Sequence, residues 1–243
     1  MANSTKTTLE QIPCAPPLRM QFLAGTNDHL VVAFSGVGER PRGYQPITFF
    51  ASASQGGKNS VLFVSDRSRS WLNAAGIDTV IRDTIAMIMK QHALSKLSLL
   101  GNSMGASMAL YLAPLTNADV VIAFTPQYAA NPATMPDERR WLRFRKVISE
   151  FKYDVVPLQP RVGQLIYIVH GGNPSELRHA KKFPVVKGVR HFIFPQHGHN
   201  FITDLRKQKL LSPLIGAALD GRPYRFRRII QKFGGTWRNK TPG

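Results

Sequence analysis

The sequence predicts an α/β protein: a mostly parallel central sheet flanked by helices, with a helical insertion. Short apolar runs recur at residues 30–34, 61–65, 96–100, 119–124, 164–169 and 190–194. Such runs suit strands buried on both faces. Segments with helical period lie between them, so strand and helix alternate along the chain. A third observation is the stretch 97–110, where an apolar strand passes through a Gly-containing turn into a helix of small residues.

At 243 residues the chain can bury a full core. One domain is expected over residues 20–220, after a lead-in at 1–19 and before a basic tail at 221–243. Hydrophobic residues make up 43% of the chain, which argues against a disordered protein. Cys14 is the single cysteine, so an intrachain disulfide and CxxC-type metal or redox sites are excluded. The N-terminal residues lack a signal-like apolar core, and no apolar run approaches membrane-spanning length, which gives the expectation of a cytoplasmic protein.

Net charge is +18, and it is concentrated. Arg139, Arg140, Arg143, Arg145 and Lys146 form one block. Residues 222–243 form another that contains no acid. Charge of this kind favours an acidic partner such as a polyanion or a peripheral membrane surface. Nucleic acid is not expected, because no recognised nucleic-acid motif accompanies the charge.

Residues 1–19, with Pro13, Pro16 and Pro17, read as an extended lead-in. Residues 20–23 and 29–34 read as a hairpin, with Gly25, Asn27 and Asp28 in its turn. The second of these strands runs into Ser35-Gly36-Val37-Gly38-Glu39, a loop that can bring backbone N–H groups close to a ligand. A phosphate cradle is the rival, but the loop lacks a G-K-[ST] ending and no helix follows directly. Asp66, in the loop after 61–65, is a candidate polar wall of a pocket, or else an acid paired with a neighbouring Arg. Over residues 78–93, Ile81, Ile85, Ile88 and Met89 make one apolar stripe, with Asp78 as N-cap. Residues 126–160 interleave the first basic block with Trp141, Phe144, Phe151 and Tyr153. They read as a helical excursion, either a lid or a solvated surface helix. Residues 180–186 read as partly helical, and residues 207–219 as the closing helix.

The turn Gly101-Asn102-Ser103-Met104-Gly105 fits G-x-S-x-G, the nucleophile elbow. In that motif the Ser sits on a sharp strand-to-helix turn at positive φ, and strand and helix approach so closely that only small residues fit beside it. The Ser103 hydroxyl would then stand clear of the sheet, with the Met104 N–H beside it. A serine hydroxyl needs a general base, and the base needs an orienting group. His197 and His199 lie in the loop after the last strand, at the sheet edge where strand C-termini gather ligands. His199 is the preferred base.

Together the elbow, the Gly-rich loop after residues 30–34 and Gly198-His199-Asn200 resemble the α/β-hydrolase superfamily over roughly residues 20–220. The resemblance implies a Ser…acid…His order, reaction through an acyl-enzyme, and no cofactor or metal. It matches Ser103 and His199 to the nucleophile and base. It also implies an oxyanion hole built from the Met104 N–H and a backbone N–H of Gly36 or Val37. The third member departs from the family pattern. After the penultimate strand the family carries an Asp or Glu, whereas this loop reads Gly172-Asn173-Pro174-Ser175-Glu176. Glu176 has the right chain order, but it also suits a first-turn helix carboxylate. Asn173 is the alternative.

The function expected is a serine hydrolase, in particular a carboxylesterase-like enzyme acting on a small-molecule or polymer-linked ester, with anionic substrates favoured by the charge. The alternatives are an acyltransferase of the same fold and a catalytically silent hydrolase-fold scaffold that docks through its basic surfaces.

Overall fold

The computed structural model describes residues 8–238. In chain order the strands are β1 (Leu9–Ile12), β2 (Leu18–Leu23), β3 (His29–Phe34), β4 (Ser60–Asp66), β5 (Lys96–Asn102), β6 (Val120–Phe124), β7 (Leu165–Gly171), β8 (Val189–Phe194) and β9 (Thr236–Trp237). The helices are α1 (Phe50–Ser54), α2 (Ile77–Gln91), α3 (Met104–Leu112), α4 (Leu142–Arg145), α5 (Pro174–Ala180), α6 (Phe201–Lys207), α7 (Leu211–Leu219) and α8 (Pro223–Lys232).

All nine strands form one sheet, in the order β1-β2-β4-β3-β5-β6-β7-β8-β9. The six strands from β4 to β8 run parallel, while β1, β2 and β9 are antiparallel at the edges. Alternation along β3 divides the core. Leu30, Val32 and Phe34 face α2 and α3. Val31 and Ala33 face the layer of α1, α6, α7 and α8. Two-sided burial explains why the middles of β3 and β4 are wholly apolar, with His29, Ser60, Ser65 and Asp66 confined to the strand ends.

β4 lies on one side of β3 and β5 on the other, so the strand order reverses there. Open α/β sheets form their ligand crevice at such a point, beyond the strand C-termini. The Gly-rich loop after β3 and the turn after β5 meet in this crevice.

Several expectations need correction. β2 does not form a hairpin with β3. It pairs with β1 and β4, and the expected turn instead carries the chain across the N-terminal end of β4, where a Cβ on Gly25 would meet the Asn59 carbonyl carbon at 2.3 Å. Part of the lead-in is strand β1, while residues 1–7 lie outside the described residues, as does the N-terminal reading that rests on them. Gly76, at φ 74°, caps α2 in place of Asp78, which accepts hydrogen bonds from Tyr153 and Lys152. The 126–160 excursion is mostly irregular, with α4 as its one helix. The helix expected near residues 180–186 is α5, which starts at Pro174, a residue suited to a first helical position. The closing helix expected from residue 207 begins only at Leu211, as α7, because the chain turns at Lys209, whose φ is 58°, and the residues before it form the separate helix α6. The basic tail packs as α8 and β9, with Phe226 and Ile230 fully buried, because each turn of α8 carries one apolar residue inward. Lys240 lies outside the described residues.

No helix among the described residues is long and apolar enough to cross a membrane.

Candidate active site

Ser103 links β5 to α3 with φ 55° and ψ −125°. This backbone is costly for a residue with a Cβ and persists only where its surroundings hold it. Here the Ser103 N–H donates to the Phe124 carbonyl on β6 at 2.8 Å. Close packing accounts for the two glycines. A Cβ on Gly101 would lie 2.1 Å from the Gly105 carbonyl oxygen, and one on Gly105 would lie 2.4 Å from that of Phe34. Met104 is the first residue of α3, so its N–H has no acceptor within the helix.

The loop after β3 abuts this turn. A Cβ on Gly36 would approach the Asn102 carbonyl oxygen at 3.0 Å and the Ser103 Cβ at 3.6 Å. Val37 is held by Arg69, which is buried and donates from Nε to the Val37 carbonyl at 3.0 Å. The same guanidinium also binds the carbonyls of Arg67, Arg40 and Gly43, so it fixes the loop rather than facing solvent.

At the far side of the crevice, the loops after β7 and β8 are packed together. The Gly172 N–H donates to the His197 carbonyl at 2.7 Å, and a Cβ on Gly171 would meet the Gly198 carbonyl at 2.5 Å. This packing sets α5 beside residues 198–200. His199 Nδ1 then lies 2.8 Å from Glu176 Oε1. Glu176 is 1% exposed. With the carboxylate accepting from Nδ1–H, the imidazole keeps Nε2 as its acceptor. Burial pushes the Glu176 carboxyl up. The His199 hydrogen bond and nearby positive charge, Arg140 included, outweigh burial and hold the carboxyl at about 2.

Asn173, the alternative third member, has another task. It is the N-cap of α5, with its side-chain oxygen accepting from the Glu176 N–H at 3.0 Å. Asp66 is no pocket wall. It is buried, and its carboxylate accepts from the backbone and hydroxyl groups of Ser68 and Ser70. His197 faces away from the crevice, stacked on Phe233 and 3.4 Å from Asp204.

Ser103 is 3% exposed, and its Oγ accepts from Gln127 Nε2 at 3.3 Å. Among the described residues it makes no hydrogen bond to His199. Catalytic hydrogen bonds in ligand-free enzymes are commonly long and tighten on substrate binding. The Trp141 ring lies over the His199 ring at 5.1 Å between centroids. Arg140 binds Glu176 and Glu138, donates to the Ser175 carbonyl at 3.2 Å, and stacks on Trp141. The 126–160 segment is therefore pinned to the Glu176–His199 pair.

Gln127 and Arg140 were not singled out as site residues by sequence reasoning. Gln127 follows β6, which lies between β5 and β7, so its place at the crevice is a consequence of strand order. Arg140 belonged to the basic block, and its signal was the adjoining Trp141.

The low Glu176 value makes a stability prediction. Because the folded carboxyl titrates below its ordinary 4.5, its stabilisation is full above about pH 4.5 and is lost as pH falls towards about 2. Urea unfolding of the wild type should weaken across that window by something on the order of 3 kcal/mol from this group. Glu176→Gln should show a shallower fall.

No protein-family model and no curated protein matches the chain. Solved structures do. An acylaminoacyl peptidase of Pyrococcus horikoshii superposes with TM-score 0.62 at 12% identity, covering 88% of this chain, which spans only 42% of the peptidase. An esterase of Pyrococcus furiosus superposes with TM-score 0.56 at 10% identity and 93% coverage of each chain. The capsule O-acetyltransferase of Neisseria meningitidis serogroup A gives TM-score 0.56 at 16% identity, over 86% of this chain and 94% of that one. The sheet order, the elbow at Ser103 and these superpositions agree: the chain has the α/β-hydrolase fold.

Proposed function

We propose that the chain is a serine hydrolase acting on carboxylic esters through an acyl-enzyme on Ser103. The observation that carries this reading is the 2.8 Å bond between His199 Nδ1 and the buried Glu176 carboxylate, on the crevice that also holds the elbow. In this reading Ser103 Oγ attacks the ester carbonyl while its proton passes to His199 Nε2. The carbonyl oxygen becomes an oxyanion held by the Met104 N–H and a backbone N–H of Gly36 or Val37. When the tetrahedral intermediate collapses, the ester C–O bond breaks and His199 returns the proton to the leaving alkoxide. Water then repeats the sequence on the acyl-enzyme. Glu176 fixes the tautomer of His199 and stabilises the imidazolium.

An anionic substrate is supported by the surface beside the Gly-rich loop. A cleft of about 650 Å³ there is lined by Arg19, Arg40 and Tyr44 together with Glu39. The adjoining cleft of about 580 Å³ adds Arg42 and Arg67. Acyl transfer to an alcohol is the second reading. One fold neighbour, a capsule O-acetyltransferase, supports it. The Glu176–His199 bond argues against a silent scaffold.

Stopped-flow hydrolysis of p-nitrophenyl acetate tests the reading. An initial burst of one nitrophenolate per chain followed by slower turnover is expected. Partitioning of the acyl group between water and added glycerol separates hydrolysis from transfer. Steady turnover that survives in His199→Ala would refute the assigned base. Glu176→Gln should lower turnover by about 10³–10⁴-fold, since a neutral amide cannot stabilise the imidazolium. Asn173→Ala should instead cost about 1 kcal/mol of stability through the lost cap and leave turnover within a few-fold.

A further inference from the structure

We infer that Gln127 is a positioning residue for the Ser103 nucleophile: its amide N–H holds the serine oxygen as an acceptor, which leaves the hydroxyl proton for the general base. The inference rests on the serine-hydrolase reading and extends it to a residue outside the triad and the oxyanion hole.

The orientation of this amide follows from its neighbours. Gln127 is buried. Its Oε1 lies 2.8 Å from Trp71 Nε1, and an indole N–H can only donate. Its Nε2 lies 3.2 Å from the Thr125 carbonyl oxygen, which can only accept. A flipped amide would set donor against donor and acceptor against acceptor at once. Nε2 therefore also faces Ser103 Oγ, at 3.3 Å, as a donor. A serine hydroxyl has one proton, and with Gln127 filling an acceptor site that proton must be donated elsewhere.

The backbone under this amide is equally fixed. The Gln127 N–H donates to Ser107 Oγ at 2.9 Å, and that hydroxyl donates back to the Gln127 carbonyl at 3.0 Å. His170 Nε2 lies 2.9 Å from the Pro126 carbonyl, one residue earlier. Burial holds His170 neutral, with a value pushed down to about 4. Its Nε2–H therefore donates to that carbonyl, and its Nδ1 accepts from His191 at 2.8 Å. The Gln127 bond to Ser103 is long in the resting enzyme. It strengthens as negative charge builds on Oγ during proton transfer, so it acts on the transition state more than on the ground state.

The test is the second-order rate of fluorophosphonate labelling of Ser103 between pH 5 and 9, which needs no known substrate. In that reaction the serine oxygen bonds phosphorus, fluoride leaves, and His199 takes the proton. Gln127→Met keeps the volume and removes the donor. It should label about tenfold more slowly at every pH. Gln127→Glu can donate only while its carboxyl is protonated. Once ionised, it accepts the Ser103 proton and turns the hydroxyl away from the base. Its rate relative to wild type should therefore fall as pH rises. Titratable and charged groups around the crevice are His170, His199, Glu176 and Arg140, and they are common to all variants. Should Gln127→Met fail to fold, Gln127→Leu carries the test, since it also lacks the donor and should slow labelling to a similar extent. Rates within twofold of wild type in the folded variants would overturn the inference. So would an equal, pH-independent loss in Gln127→Met and Gln127→Glu, which marks a packing defect. A wild type that does not label overturns the parent reading instead.

Discussion

Ser103→Ala is expected to abolish ester turnover, with a loss of about 10⁵–10⁶-fold in kcat, while leaving the protein folded. In the proposed mechanism the oxygen of this side chain forms the covalent intermediate. Alanine keeps the Cβ, so the backbone cost at φ 55° is unchanged between the two proteins. Among the described residues the side chain makes one long hydrogen bond, to Gln127, so little stability is lost with it. A thermal transition within about 2 °C of wild type, together with undetectable burst and turnover, is the expected pair of results. Loss of activity with an unfolded chain would not assign the nucleophile, which is why the two measurements belong together.

Gly101→Ala is expected to do the reverse and destroy the fold around an intact set of side chains. The added methyl would lie 2.1 Å from the Gly105 carbonyl oxygen, 2.2 Å from its carbon and 2.5 Å from the Ala106 nitrogen. All three atoms are backbone, so no flexible side chain can yield. Relief requires α3 to move off β5, and α3 is buried along its whole length. A loss of more than about 4 kcal/mol is expected, a large part of the stability of an ordinary domain. Gly43→Ala provides the comparison. Gly43 also has a special backbone, with φ 78°, but a Cβ there meets nothing within 4 Å. Its cost should stay near about 1 kcal/mol. Urea unfolding of the two variants checks both figures.

The parts of the fold that were legible in the sequence are those in which local chemistry decides the outcome. Strands buried on both faces must be apolar throughout, which marked β3, β4, β5 and β6. The elbow was legible because its geometry admits only small residues at Gly101 and Gly105. The loop that carries His199 to Glu176 was legible from its place after residues 190–194. The errors fall where long-range packing decides. Gly25 and Asn27-Asp28 carry turn chemistry, yet the strand they precede does not pair with the strand before them, because β4 takes that position. Aromatic and basic residues at 126–160 suggested a helix, but Arg140, Arg145 and Glu138 instead tie irregular backbone to its surroundings. The choice between Glu176 and Asn173 was open for a related reason. Both lie at the start of one helix, and only the packing of the β7 and β8 loops decides which of them meets His199.

The Arg140–Glu176 contact sets this site apart from a bare Ser-His-acid arrangement. A guanidinium on the Glu176 carboxylate holds it ionised, and it also fastens the 126–160 segment to the Glu176–His199 pair. Both effects act through the group that orients the proposed base.

The central claim is that Ser103 is an activated nucleophile. Mass spectrometry of the intact protein after fluorophosphonate treatment, followed by peptide mapping, tests it most directly. One adduct per chain on Ser103 is expected, absent in Ser103→Ala and strongly slowed in His199→Ala. A folded wild type that carries no adduct, or carries it on another residue, would contradict it.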